Sequence, residues 1–214
     1  MLNLFVIWLL EEAVRYKIRH LFFLARDSYP IYKTARRYCE KFHPELECSY
    51  FYCSRYSLRV PMYAENLEEA LEHVCRGGID VSLRKILIRS GFEPRKAEKL
   101  REYFEIEREL DDIIPYPELR TMKKELSENK RYMEMLKNVS MEKKDNVCKY
   151  FRQEGMLEER TGIVDSGWTG TTQKSINEIR KKCGCTTEVE GFYFGLFETP
   201  VGCDPQKYHS FYFS

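Results

Sequence analysis

Three short stretches hold the residue types that chemistry on an anion requires. The first is Leu24-Ala25-Arg26-Asp27-Ser28-Tyr29, where an arginine and an aspartate directly follow an apolar run. An aspartate at such a place either caps the helix that begins near Pro30 or serves a site. A guanidinium does not cap a helix N-terminus and is well shaped for phosphate or carboxylate, so Arg26, with Ser28 beside it, is a candidate phosphate ligand. The second stretch, Cys53-Ser54-Arg55-Tyr56-Ser57-Leu58-Arg59, offers a hydroxyl in Ser54 and a fixed cation in Arg55 that can share one anionic group with Arg26.

The third stretch is the most specific. In Ile163-Val164-Asp165-Ser166-Gly167-Trp168-Thr169-Gly170-Thr171-Thr172 an apolar run ends in an acid, passes two glycines three apart, and enters a helix with hydroxyl residues at its start. Glycine lets the backbone approach a ligand closely and take positive φ, and the first N–H groups of a helix favour an anion. Ser166 to Thr172 therefore has the composition of a phosphate cradle, with Asp165 placed to hold sugar hydroxyls or Mg²⁺. A glycine turn capped by threonine has the same composition. It is the three stretches together that favour the cradle. Neither the glycine-rich loop ending in Lys-Ser/Thr nor the three-glycine dinucleotide fingerprint occurs.

Strands and helices must present these stretches. Residues 2–16 place Leu2, Phe5, Leu9, Ala13 and Tyr16 on one helical stripe. His20–Ala25 reads as a buried strand, 30–42 as a helix, and the aromatic-rich 48–53 as a second strand. Gly162–Asp165 reads as a short strand, Thr171–Lys182 as a helix, Val189–Leu196 as a strand, and 208–213 as one more. Strands alternating with helices predict an α/β fold with a mainly parallel, Rossmann-like sheet, formed by 1–63 and 161–214. Ligands of open α/β sheets bind at the carboxyl ends of the strands, which is where all three stretches lie.

Between them, 64–160 is different material. From Glu65 to Arg160 there are 22 acidic and 20 basic residues, against 12 and 15 in the remainder of the chain. Leu67, Ala70, Leu71 and Val74, then Leu83, Ile86 and Leu87, then Leu100, Tyr103 and Phe104 fall at helical spacing, with Gly77-Gly78, Gly91, Pro94 and Pro115 as punctuation. This predicts a helical insertion of short amphipathic helices with solvated, oppositely charged faces and no chemistry.

Composition sets the outer limits. With 35 Lys and Arg against 34 Asp and Glu in 214 residues, the net charge of +1 gives no field for a nucleic acid. The apolar opening Met1–Leu10 is too short to span a bilayer and runs into Glu11 and Glu12 rather than a cleavage site. Eight scattered cysteines in a chain able to build its own core predict reduced thiols and a cytoplasmic location. Cys183, Cys185, Cys203 and His209 lack the spacing of a zinc module.

The third stretch resembles the phosphoribosyl-diphosphate loop of type I phosphoribosyltransferases. Ile163, Val164 and Asp165 match its start, Thr169-Gly170-Thr171-Thr172 match its end, and Ser166 stands where that family has a second acid. The Ala25–Ser28 turn is similar to that family's pyrophosphate loop. A second resemblance covers nearly the whole chain. Phe23-Leu24-Ala25-Arg26-Asp27, Tyr52-Cys53-Ser54-Arg55, Leu58-Arg59-Val60-Pro61 and Val164 to Gly170 look like bacterial proteins found with surface-polysaccharide glycosyltransferases and catalogued as haloacid-dehalogenase (HAD) superfamily hydrolases. That likeness implies Asp27 as acid/base with Ala25 in the nucleophile's place, or Asp27 as nucleophile with Tyr29 as acid/base. It also implies Ser54 in the second motif and Asp165 as a metal ligand.

The leading expectation is binding of a phosphorylated sugar or nucleotide by the strand-end loops, with phosphoribosyltransferase-like transfer as the reaction. A metal-dependent phosphohydrolase using Asp27 and Asp165, and a non-catalytic binding domain that serves a polysaccharide-assembly system, are the alternatives. The final run Phe211-Tyr212-Phe213 predicts a sheet edge that another segment or subunit covers.

Overall fold

A computed structural model describes residues 1–213. The chain divides into two compact units, Met1–Arg55 with the residues from Cys148 onward, and Tyr56–Val147. In the first unit, α1 (Leu2–Arg15), β1 (His20–Leu24), α2 (Tyr29–Phe42) and β2 (Glu47–Phe51) precede the second unit. The first unit resumes with β3 (Thr161–Trp168), and α9 (Thr171–Lys182), β4 (Glu190–Leu196) and β5 (Tyr208–Ser210) complete it. The sheet order is β2-β1-β3-β4-β5 and every pair is parallel. This is an α/β, Rossmann-like architecture.

Side-chain alternation along the strands builds the layers. Leu21, Phe23, Val164 and Phe192 pack with Phe5, Leu9 and Ala13 of α1 and Ile31 and Ala35 of α2 on one face. On the other, Phe22 meets Phe51, which stacks on Tyr150 and lies edge-on to Phe151. α9 covers Tyr193 there through a fully buried glutamine. Gln173 Nε2 donates to the carbonyls of Val189 (3.0 Å) and Lys207 (2.9 Å), and its Oε1 accepts from Tyr193 Oη at 2.7 Å. Since Gln173→Leu would remove three hydrogen bonds, two of them fully buried, it should lower unfolding free energy by about 1–3 kcal/mol in a urea titration. A change within about 0.5 kcal/mol would mean that water replaces the amide.

The second unit holds α3 (Arg55–Arg59, shared at its first residue), α4 (Leu67–Val74), α5 (Leu83–Arg89), α6 (Ala97–Tyr103), α7 (Leu119–Glu128) and α8 (Lys130–Gln153), the last running back into the first unit. Asn66 accepts from Glu69 N at 3.1 Å and Ser82 from Lys85 N at 3.5 Å, capping α4 and α5. The core gathers Val74, Leu83, Ile86, Leu87, Phe92, Phe104, Tyr132 and Leu136, and the charges form exposed pairs such as Arg84–Asp111 and Arg131–Glu105. The expectation of short helices alone is corrected by α8, which spans 24 residues. No glycine or proline interrupts it, and Asn129 Oδ1 accepts from Tyr132 N at 3.0 Å at its start.

The cysteine reading also needs correction. Cys148 and Cys183 form a disulfide between α8 and the end of α9, while six cysteines are free. The cytoplasmic location expected from reduced thiols loses that part of its support. Cys183, Cys185, Cys203 and His209 form no metal site: Cys183 is oxidised, Cys185 lies against Thr187, and His209 Nε2 is 2.8 Å from Glu190 Oε2. Among the described residues no helix is long and apolar enough to cross a membrane.

Candidate functional site

β1, β2 and β3 are neighbours in the sheet and point the same way, so the chain segments that leave them emerge side by side. They enclose a cavity of about 170 Å³ lined by Leu24, Ala25 and Asp27 after β1, by Cys53, Ser54 and Arg55 after β2, and by every residue from Asp165 to Thr172. Residues far apart in sequence thus share one cavity because their strands are adjacent and parallel. Larger grooves exist in the helical unit, but one of about 650 Å³ is lined by five carboxylates, among them Glu107 and Asp112, against the single cation Arg108, a wall that disfavours anions.

The third segment is built differently from its sequence reading. β3 does not stop at Asp165 but continues to Trp168, pairing Gly167 with Gly195 and Trp168 with Leu196 of β4 after its ladder with β1 has ended at Phe23–Val164. Gly167, at φ +115°, makes this close approach, and Gly170, at φ +57°, turns the chain into α9 as its N-cap. Its N-cap is a glycine and makes no side-chain capping bond among the described residues. Its first N–H groups are therefore open to an anion, with Thr169, Thr171 and Thr172 alongside in the cavity wall.

Asp165 is the cavity's perturbed acid. Burial raises its pKa above the usual carboxylate range, and the charge of Asp27 adds to this, while the backbone N–H groups of Ser166 and Gly167 oppose it. Cys53, absent from the sequence-based candidates, lines the same cavity with its thiol pushed up to about 12, first by burial and then by Asp165. Such a thiol stays protonated at neutral pH and is a poor nucleophile. Its place directly after β2 was the available signal. Arg55 is exposed at the cavity wall and has no carboxylate partner among the described residues.

Two predicted ligands stand elsewhere. Arg26 is exposed and does not line the cavity; its carbonyl accepts from Tyr50 Oη at 3.4 Å. Ser28 is fully buried and donates to the Val164 carbonyl at 3.1 Å, tying the start of α2 to β3. Neither is brought into the cavity lining, which takes Ala25 and Asp27 from this turn. Asp27 is not the cap expected of it: the α2 N-cap is Ser28, whose side chain bonds Val164 rather than the helix. Tyr29, the acid/base in one version of the hydrolase likeness, lies outside the cavity lining.

Among the described residues no three His, Cys, Asp or Glu side chains converge as a metal site. Asp27 and Asp165 are the two carboxylates of the cavity. Mg²⁺ keeps several waters and commonly takes one or two carboxylates plus substrate phosphate, so this donor pair suits an ion brought in with a phosphorylated ligand rather than a resident one. No protein-family profile matches the sequence, and no curated protein matches it significantly.

Proposed function

We propose that the cavity at the ends of β1, β2 and β3 binds the phosphate of a phosphorylated sugar or nucleotide. The supporting observation is the convergence of three strand-end segments on one small polar space, with the glycine-capped N-terminus of α9, an Arg55 that has no carboxylate partner among the described residues, and the buried Asp165 around it. In this reading the α9 N–H groups and threonine hydroxyls take the phosphate oxygens, and Arg55 neutralises their charge. Asp165 accepts sugar hydroxyls or holds Mg²⁺ carried with the phosphate. Such a site serves transfer at a phosphorylated sugar carbon, since it fixes the leaving phosphate and orients the sugar. The resemblance to proteins of polysaccharide-assembly systems supplies the proposed setting, with a glycosyltransferase system as partner.

Arginine at the cavity wall separates this account from a general affinity for anions. Arg55→Ala should weaken binding of ribose 5-phosphate or pyrophosphate about 10- to 100-fold in calorimetric titration with Mg²⁺. Arg26→Ala, outside the cavity, should change it by no more than about twofold. The reverse ranking would contradict the site.

Two carboxylates in one cavity also favour a second reading, metal-dependent phosphate hydrolysis with Asp27 as nucleophile. It requires a covalent phosphoenzyme that disappears in Asp27→Asn. Under the transfer reading no phosphoenzyme forms in either protein.

A further inference from the structure

We propose that the bound ligand is a nucleotide whose base stacks on Trp168 outside the phosphate cavity; this inference rests on the phosphate reading of that cavity. The space there, about 170 Å³, is smaller than the roughly 300–1,000 Å³ of pockets that enclose a small-molecule ligand. It accommodates a phosphate with part of a sugar, and whatever is attached to the sugar lies outside. What waits at the rim is aromatic. Trp168 ends β3, lines the cavity and is 64% exposed, and Phe197, just past the end of β4, is 67% exposed. The two rings stack at 5.7 Å between centroids and 15° between planes.

Two large rings left in water on adjacent strand ends form an apolar platform that gains by being covered. The backbone beneath it is unusual as well. Trp168 has φ +109°, a region bulky L-residues rarely adopt and one that costs about 1–3 kcal/mol. Its carbonyl accepts from Phe197 N at 2.7 Å, which holds the strained residue beside the ring it stacks on. The chain thus keeps a tryptophan where glycine would be unstrained. Trp168 pairs with Leu196 and stacks on Phe197, so the platform itself is apolar and suits a flat ring. A flat heteroaromatic base needs only the ring face, and stacking is insensitive to which base it is.

Trp8 is the only other tryptophan, so quenching of tryptophan emission, compared with a Trp168→Leu protein, reports the site. Titrations would use adenosine and guanosine 5′-monophosphates against ribose 5-phosphate, with calorimetry for ligands that do not quench. The nucleotides should bind about 10- to 100-fold more tightly than ribose 5-phosphate to the unaltered protein. Trp168→Leu should lower nucleotide binding far more than ribose 5-phosphate binding, so that the preference shrinks to within about threefold, and Trp168→Tyr should retain most of the preference. Should Trp168→Leu fail to fold, Phe197→Leu, which leaves the β3 backbone untouched, should still cost the nucleotides several-fold and spare ribose 5-phosphate. Equal binding of nucleotides and ribose 5-phosphate, or equal loss of both in Trp168→Leu, would overturn the base-stacking inference while leaving the phosphate site standing. Failure of every phosphorylated probe, pyrophosphate included, would overturn both.

Discussion

Gly167→Ala is expected to lower the unfolding free energy by at least about 3 kcal/mol, and with it the melting temperature by about 6–12 °C. A Cβ built on Gly167 would lie 1.7 Å from the carbonyl oxygen of Gly195 and 2.8 Å from its carbon, both backbone atoms. No rotamer change relieves such a contact, so β3 and β4 must separate at Gly167–Gly195, the pairing that carries the cavity's third wall. The φ of +115° adds backbone strain of about 1–3 kcal/mol for any residue with a side chain. Gly184, at φ +93° with nothing within 4 Å of its Cβ, is the matched control: alanine there meets the strain without the clash. Urea unfolding of the two variants separates the terms. Similar losses in both would show that the β3–β4 approach is not tight.

Asp165→Asn should do two opposite things. It should weaken binding of a phosphorylated sugar about 10- to 100-fold, by removing a charged acceptor from the cavity. It should also stabilise the protein at neutral pH by about 0.5–2 kcal/mol. The sign follows from the raised pKa. A carboxyl whose folded pKa lies above its unfolded value favours the folded state fully below the unfolded pKa, and that contribution is lost as pH rises through the folded pKa. Asparagine is neutral throughout. Stability curves of variant and parent should therefore converge near pH 3–4 and diverge as Asp165 ionises in the folded parent. Asparagine can still accept from the N–H groups of Ser166 and Gly167, so these bonds need not be lost. A variant less stable than its parent at pH 7 would mean that the carboxylate contributes to folding rather than opposing it.

The same residues show what a single sequence reveals and what it hides. The bounds of α9, Thr171–Lys182, agree with the reading, and β1 and α2 differ from it by one residue at an end, because local periodicity and the Pro30 signal set them. Adjacency was not local. That the segments after β1, β2 and β3 share a cavity follows from parallel neighbours in the sheet, which alternation predicts only as a class. The extension of β3 past Asp165 depends on Gly195, a partner on another strand, and has no signature in its own segment. Arg26 and Ser28 followed a strand as a site residue would, yet which side of the turn each occupies is decided by contacts such as Ser28 Oγ to Val164 O. Phe197 carries no polar chemistry, and only its stacking against Trp168, a contact between two strand ends, marks it. α8 was missed because its polar surface dilutes the apolar spacing, although it contains no helix breaker.

The most direct test of the phosphate site is a titration of the ¹⁵N-labelled protein with pyrophosphate and then ribose 5-phosphate, in Mg²⁺, followed by backbone amide shifts. The account predicts saturable changes concentrated on Gly167 to Thr172 and on Ser54 and Arg55, absent from Asp165→Asn at the same concentrations. Saturable changes centred elsewhere, or none at these amides up to millimolar ligand, would contradict it.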